Sequence, residues 1–386
     1  MREKVIPYGK QFITEEDIDA VVEVLKSDYL TQGPTIELFE KSFAEYVGCK
    51  YAVAVANGTA ALHLSVIALG LEKGKKVITS PITFAASANC VLYAGGQVDF
   101  CDINPDTYLI DIKKIEEKLN NAEPGTYVGI IPVDLAGYPV NTEELNIIAK
   151  KNNLWILEDA CHAPGGGFTD SKGSFQLCGN GVYINAAVFS FHPVKHIATG
   201  EGGMITTNRK DIYEKLILLR THGITKEKKL LNDYHGDWYY EMQMLGFNYR
   251  LTDIQAALGI SQLKKANWSL KQRQKIAKIY REELKSIGDI RLPFVENNVL
   301  HAYHLFIILT SKRKELYNYL RQNGIFAQVH YIPIHYFPYY REKGWKKGDF
   351  PIAEAYYNEC LSLPMYPSLS DDDLNYVIDK IKSFYR

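Results

Sequence analysis

Lys195 lies in SFHPVKH (190–196), with TGEGG (199–203) close behind it. Upstream, the run LWILE (154–158) ends in Asp159. A lysine in a glycine-flanked loop after one buried strand, with an acid at the end of another, suits pyridoxal phosphate chemistry. The amine can form a Schiff base with the cofactor aldehyde, and the carboxylate can keep the pyridine nitrogen protonated. Imine formation needs the neutral amine, whereas a free lysine, with a pKa of about 10.4, is mostly protonated at neutral pH. Once held in the linkage, the nitrogen no longer faces that problem. When an amino donor displaces it, the freed lysine can act as general base for a 1,3-proton shift. A solvated surface lysine is the competing reading of this motif taken alone.

Other residues would have to hold the rest of such a cofactor. Gly58-Thr59-Ala60 follows the apolar run YAVAVAN (51–57) and opens a helical stretch. Backbone N–H groups there, with the Thr59 hydroxyl, could bind an anion, although a Gly-Thr helix start is commonly just a cap. Ser190 offers a second hydroxyl. Asp159, at the carboxyl end of a buried strand, stands where open α/β sheets bind ligands. Buried without a partner it would be costly, so a cation is expected beside it, and a pyridinium N–H supplies one. His162 reads either as a bond to the ring's phenolic oxygen or as a locally bonded helix-start residue. Phe84 reads either as a stack on the ring face or as ordinary core. There is no H-E-x-x-H and no G-x-S-x-G, so zinc and serine hydrolase chemistry find no support.

The elements that must position these groups are legible from periodicity. TEEDIDAVVEVLKS (14–27) is an amphipathic helix with Thr14 as N-cap and Asp17 three residues on. A second helix spans 37–48 and closes on Gly48. Strands at 51–57, 76–81, 97–103, 127–135 and 153–160 alternate with helices at 60–71, 83–95, 111–119 and 142–152. Two more strands, 186–191 and 203–208, flank the lysine loop. That alternation argues for an α/β fold with a mostly parallel central sheet flanked by helices. Beyond residue 250 the pattern changes to helices at 251–266, 269–287 and 312–324, strands at 301–310 and 326–333, and a final helix. Residues 1–250 thus read as a large cofactor domain and 251–386 as a smaller α+β domain. Residues 223–240 are polar and poorly patterned, as a mobile or partner-contacting loop would be.

Composition excludes several classes. The 386 residues carry a formal net charge of -1, so nothing suggests nucleic acid or an anionic membrane. No apolar stretch reaches a membrane span, and the charged start MREKVIPYGKQFITEED lacks the apolar core of a secretory signal. The six cysteines form no C-x-x-C pair, so no metal site is expected and a reduced cytoplasm fits. Many of the 27 tyrosines cluster near the C-terminus. They read as packing and interface, or as a wall for a sugar or nucleobase.

Five blocks occur in one order over nearly the whole chain: NGTAALHL (57–64), PITFAASAN (81–89), ILEDACHA (156–163), SFHPVKHIATGEGG (190–203) and GFNYRLTDIQAALGISQL (246–263). Together they resemble the sugar-nucleotide aminotransferase family of fold-type I pyridoxal phosphate enzymes. LTQGP (30–34), the histidine in EDACHA where most of the family has glutamine, and GIFAQVHYIPIHYFPYY (324–340) resemble its pseudaminic-acid pathway branch. The resemblance implies that Lys195 is the Schiff-base lysine, Asp159 holds the pyridine nitrogen and His162 sits near the ring hydroxyl. It further implies that Thr59, Ala60 and Ser190 hold the phosphate and that Phe84 stacks on the ring. Asn248 would reach the cofactor of a partner subunit, which implies an obligate homodimer with a shared active site. Tyr8, Asp28, Tyr29, Leu30, Thr31, Gln328, Val329, His330 and Tyr331 match positions lining the sugar-nucleotide site. The implied reaction moves the amino group of L-glutamate onto C4 of a UDP-linked 4-keto-6-deoxy-N-acetylhexosamine. NGTAAL departs from the serine- and alanine-containing turn of the near relatives, so the Thr59 and Ala60 roles carry over approximately.

Other readings remain open. Another UDP- or dTDP-linked ketosugar, with its ketone at C3 or C4, would use the same machinery. A 3-dehydratase on this scaffold needs histidine where Lys195 stands. A non-catalytic cofactor-binding regulator is disfavoured by the set Asp159, Ser190, Lys195 and Asn248.

Overall fold

The computed structural model describes residues 5–386. The first four residues of the charged start lie outside the described residues. Strands β1 (Tyr51–Val55), β2 (Lys76–Thr79), β3 (Gln97–Phe100), β4 (Tyr127–Ile131), β5 (Trp155–Asp159), β6 (Ala186–Ser190) and β7 (Gly203–Thr207) form one seven-stranded sheet. Their order is β1-β7-β6-β5-β4-β2-β3. Only β7 runs antiparallel to its neighbours. The α/β class with a mostly parallel sheet therefore holds.

The strands read as continuous apolar runs because both faces are buried. Alternate residues feed different cores: Val53, Val55, Val188 and Ile205 enter one, while Ala52, Ala54, Phe189 and Met204 enter another. On the second face packs α2 (Pro34–Val47), while α1 (Glu15–Leu25) packs on the helix at Asp253–Lys264. On the first pack α3 (Gly58–Ala68), α4 (Ala86–Tyr93) and, further along, a helix at Lys210–Leu219 that the periodicity reading passed over. Thr14 and Asp17 form the expected capping box on α1. Helix α2 begins at Pro34, three residues ahead of the expected start. The Asp253 carboxylate, far away in sequence, accepts from Gly33 N (2.8 Å) and Thr35 N (3.0 Å) and caps that end. No local pattern announces such a cap.

Helices at Asp253–Lys264 and Ala266–Leu284 follow the large sheet. The first of them lies beyond residue 250 yet packs against α1 and α2. A further core gathers Ile276, Tyr280, Leu316, Leu374 and Ile378 around one face of the paired strands Phe306–Leu309 and Cys360–Leu363. The other face of that pair, Leu305, Ile307 and Leu309, joins the main core. One short strand thus ties both parts of the chain together. The expected strands at 301–310 and 326–333 shrink to Phe306–Leu309 and Ile325–Phe326, because a strand extends only as far as its partner does. Among the described residues no helix is long and apolar enough to cross a membrane.

Phe43 supports the strand that carries Ser190. Its fully buried ring meets Phe189 at 4.9 Å and Phe191 at 5.4 Å, edge on. Phe43→Ala is expected to cost about 3–5 kcal/mol of unfolding free energy in a denaturant titration. A loss under about 1 kcal/mol would mean that this core closes over the gap.

Candidate active site

Strand register brings the candidate residues together. Gly203 pairs with Ser190 on one side and Val55 on the other, and Asp159 pairs with Val188. The carboxyl ends of β1, β5 and β6 therefore open at one edge of the sheet, into a cleft of about 770 Å³. That volume falls in the range of ligand sites. Thr59, Ala60, Phe84, Asp159, His162, Ser190 and Lys195 all line it, as do Tyr8, His330 and Tyr331.

At one end of the cleft α3 presents its N-terminus. Asn57 is the true cap: its side chain accepts from Ala60 N at 2.8 Å. The Ala60 amide is thereby occupied by this cap, and Gly58, Thr59 and Ala60 line the cleft together. An asparagine ahead of Gly-Thr-Ala was the available signal for this cap. A Cβ on Gly58 would lie 3.1 Å from Ser190 Cβ and 3.3 Å from Ser190 Oγ. The absence of a side chain there lets the helix start and the Ser190 hydroxyl share one concavity, whose dipole and donors suit a phosphate.

Asp159 is buried. Ser87 Oγ donates to its Oδ2 at 2.6 Å and Cys161 N to its Oδ1 at 3.3 Å, and Thr83 Oγ1 lies 2.8 Å from Ser87 Oγ. Both donors to Asp159 are neutral, and among the described residues no ion pair neutralises it. A protonated pyridine nitrogen entering the cleft would meet that charge. Lys195 sits in a loop closed by Phe191 N to Gly202 O (2.8 Å) and Thr199 N to Phe191 O (2.9 Å). Burial lowers its pKa from the usual lysine value, against the opposing charge of Asp159. A lysine drawn toward neutrality beside a carboxylate fits a Schiff-base role.

His162 lines the cleft and is bonded at both ring nitrogens. Its Nδ1 accepts from Ala136 N at 3.2 Å, and its Nε2 lies 3.1 Å from Tyr331 Oη. Burial, then the Lys195 charge, holds it well below the usual histidine range, so the ring is neutral. Phe84 is 62% exposed and faces the cleft, 6.4 Å from the Tyr331 ring, so it is not ordinary core. Pyridoxal phosphate thus finds a fitting donor set along the cleft: helix N–H groups and hydroxyls, an unneutralised carboxylate, an aromatic face and an amine.

Several expected contacts do not line this cleft. Asp28, Tyr29, Leu30 and Thr31 form an exposed turn whose Leu30 carbonyl accepts from Asp253 N at 3.0 Å. Gln328 pairs through its backbone with Ser362, and Val329 packs between two cores. Asn248 is exposed beside Thr221. His63, which the sequence reading passed over, does line the cleft, its Nδ1 3.3 Å from Tyr249 Oη.

A profile of the DegT/DnrJ/EryC1/StrS aminotransferase family matches residues 11–382. The chain belongs to that family. It is similar to the UDP-4-amino-4,6-dideoxy-N-acetyl-beta-L-altrosamine transaminase of Campylobacter jejuni, at 36% identity over 98% of this chain and 97% of the relative. The GDP-perosamine synthase of Escherichia coli O157:H7 is 33% identical over 99% of each chain. Among solved structures, Helicobacter pylori PseC, an aminotransferase in the biosynthesis of pseudoaminic acid, superposes with a TM-score of 0.88 at 31% identity, covering 99% of both chains. Spr1654 of Streptococcus pneumoniae, described as a sugar aminotransferase and solved in a PLP-form, gives 0.89 at 27% identity over 98% of both. The family resemblance and the fold-type I architecture expected from the sequence therefore hold.

Behind Asp159 lies a second acid group. Asp134, Glu158 and Cys178 are buried, with one ligating atom of each within 4.8 Å of the others. Burial raises Asp134 well above the carboxylate range and Glu158 to about 7, so the pair retains a proton that a cation would have to displace. Each acid holds its proton more tightly in the folded chain than in the unfolded one. Stability from this pair is therefore present at low pH and lost as pH rises from about 4 to 7. Asp134→Asn is expected to flatten that decline relative to the parent, measured by denaturant unfolding across this window. An identical slope in both chains would contradict the shared proton.

Proposed function

We propose that the chain is a pyridoxal phosphate-dependent aminotransferase of nucleotide-linked sugars. We further propose that it moves the amino group of L-glutamate onto C4 of a UDP-linked 4-keto-6-deoxy-N-acetylhexosamine, as in pseudaminic acid biosynthesis. The observation carrying the chemistry is that Asp159, buried and met only by neutral donors, opens into the same cleft as Lys195. When bound, pyridoxal phosphate supplies the electron sink that lets a carbon–nitrogen bond change hands. Gly58, Thr59 and Ser190 bind its phosphate, Asp159 accepts from its ring nitrogen, and Phe84 covers its face. Lys195 Nζ would anchor the group and would serve as the general base that moves the donor's α-proton.

The sugar assignment rests on likeness to the Campylobacter transaminase and to PseC, together with Tyr8 and His330 in the cleft wall. We assign Asn248 and the turn at 28–31 to the cleft of a second copy. The arm beside Asn248 leaves Trp238 74% and Leu245 79% exposed, which a dimer would cover. The six unpaired cysteines accord with a cytoplasmic setting.

A second reading, amination of a GDP-linked ketosugar, is favoured by the likeness to GDP-perosamine synthase. Amination assays with glutamate and a panel of UDP-, dTDP- and GDP-linked ketosugars separate the two. The expected result is highest kcat/KM on the UDP-linked 4-keto-6-deoxy-N-acetylhexosamine. Turnover confined to another nucleotide would overturn the sugar assignment, and no turnover on any ketosugar would overturn the activity.

A further inference from the structure

We infer that Tyr331, with its donor direction set by His162, gives the hydrogen bond to the phenolic oxygen of the bound cofactor. This deepens the reading above and rests on it. A backbone amide can only donate, so the 3.2 Å contact from Ala136 N makes His162 Nδ1 an acceptor. A neutral imidazole has one N–H, which must then sit on Nε2. Tyr331 Oη, 3.1 Å from Nε2, therefore accepts from His162 and keeps its own hydrogen for another partner. Among the described residues the Tyr331 hydroxyl is hydrogen-bonded to His162 alone, and Tyr331 lines the cleft.

The surroundings fix this direction. The His304 ring lies 4.4 Å from His162, and Arg273 Nη1 donates to the His304 carbonyl at 3.2 Å. Lys195, His196 and His330 also act on His162, while Tyr8, Asp159 and Cys161 act on Tyr331. Burial opposes protonation of His162, so the relay stays neutral and one-way. The phenolic oxygen of the cofactor neighbours the carbon that joins Lys195. A donor to that oxygen lowers its basicity, and with it the proton affinity of the adjoining lysine nitrogen.

The test is a pH titration of the visible absorbance of the holoenzyme. Tyr331→Phe is expected to move the titration upward by about one to two pH units, the size of one hydrogen bond to a charged oxygen. His162→Gln is expected to keep the parent titration, since a side-chain amide can accept from Ala136 and donate to Tyr331. An unshifted titration in Tyr331→Phe, with only KM for the ketosugar raised, would overturn the inference and give Tyr331 to the substrate.

A check without loss of Tyr331 is the ¹⁵N spectrum of histidine-labelled holoenzyme at neutral pH, with His162 assigned by its disappearance in His162→Gln. Hydrogen on Nε2 and a bare Nδ1 is expected, and the reverse tautomer would overturn the relay. A parent protein with no cofactor absorbance would instead defeat the pyridoxal phosphate reading, and this inference with it.

Discussion

A carboxylate taken out of water without an ion-pair partner bonded to it is costly, and the fold spends much of its order on holding one. Asp159 ends the central strand β5, with only a serine hydroxyl and one amide donating to it. Two neutral hydrogen bonds leave most of the charge uncompensated. The remaining charge faces a cleft that also holds a lysine drawn below its usual pKa. Each group is poorly satisfied alone, and both are satisfied by one molecule carrying a ring N–H and an aldehyde. The site is therefore a pair of complementary deficits held at a fixed spacing by strand register.

That spacing depends on packing rather than on the site residues themselves. Gly203 lies between Val55 and Ser190 in the sheet, and a Cβ there would come within 2.5 Å of the Asn57 carbonyl. Phe39, Phe43, Phe189 and Phe191 brace the far face of the same strands. The strand pair Phe306–Leu309 and Cys360–Leu363 feeds two cores, so the segment at 326–334, with His330 and Tyr331, is pinned against the large sheet. A cleft wall built from both parts of the chain cannot move far without opening one of those cores.

Residues at strand ends were readable because strand ends are readable. Asp159 and Ser190 end strands rich in apolar residues, Lys195 lies in the loop after one of them, and a parallel sheet brings such ends to one edge. Residues whose role depends on a distant partner were not. The Asn57 side chain accepts from the Ala60 amide, and His162 is bonded to Ala136 and Tyr331, residues far from it in the chain. Asp253 caps a helix from far along the chain, which no local pattern encodes. The short strands after residue 300 were overextended because apolar alternation says nothing about where the partner strand stops. The turn at 28–31 and Asn248 were read from resemblance, and on a single chain they face outward.

The central claim is covalent: one side-chain nitrogen, Lys195 Nζ, carries the cofactor. Borohydride reduction of the protein purified with pyridoxal phosphate, followed by peptide mass mapping, tests it most directly. The account predicts a pyridoxyl adduct on the peptide bearing Lys195 and on no other lysine. An adduct elsewhere, or none, would contradict it.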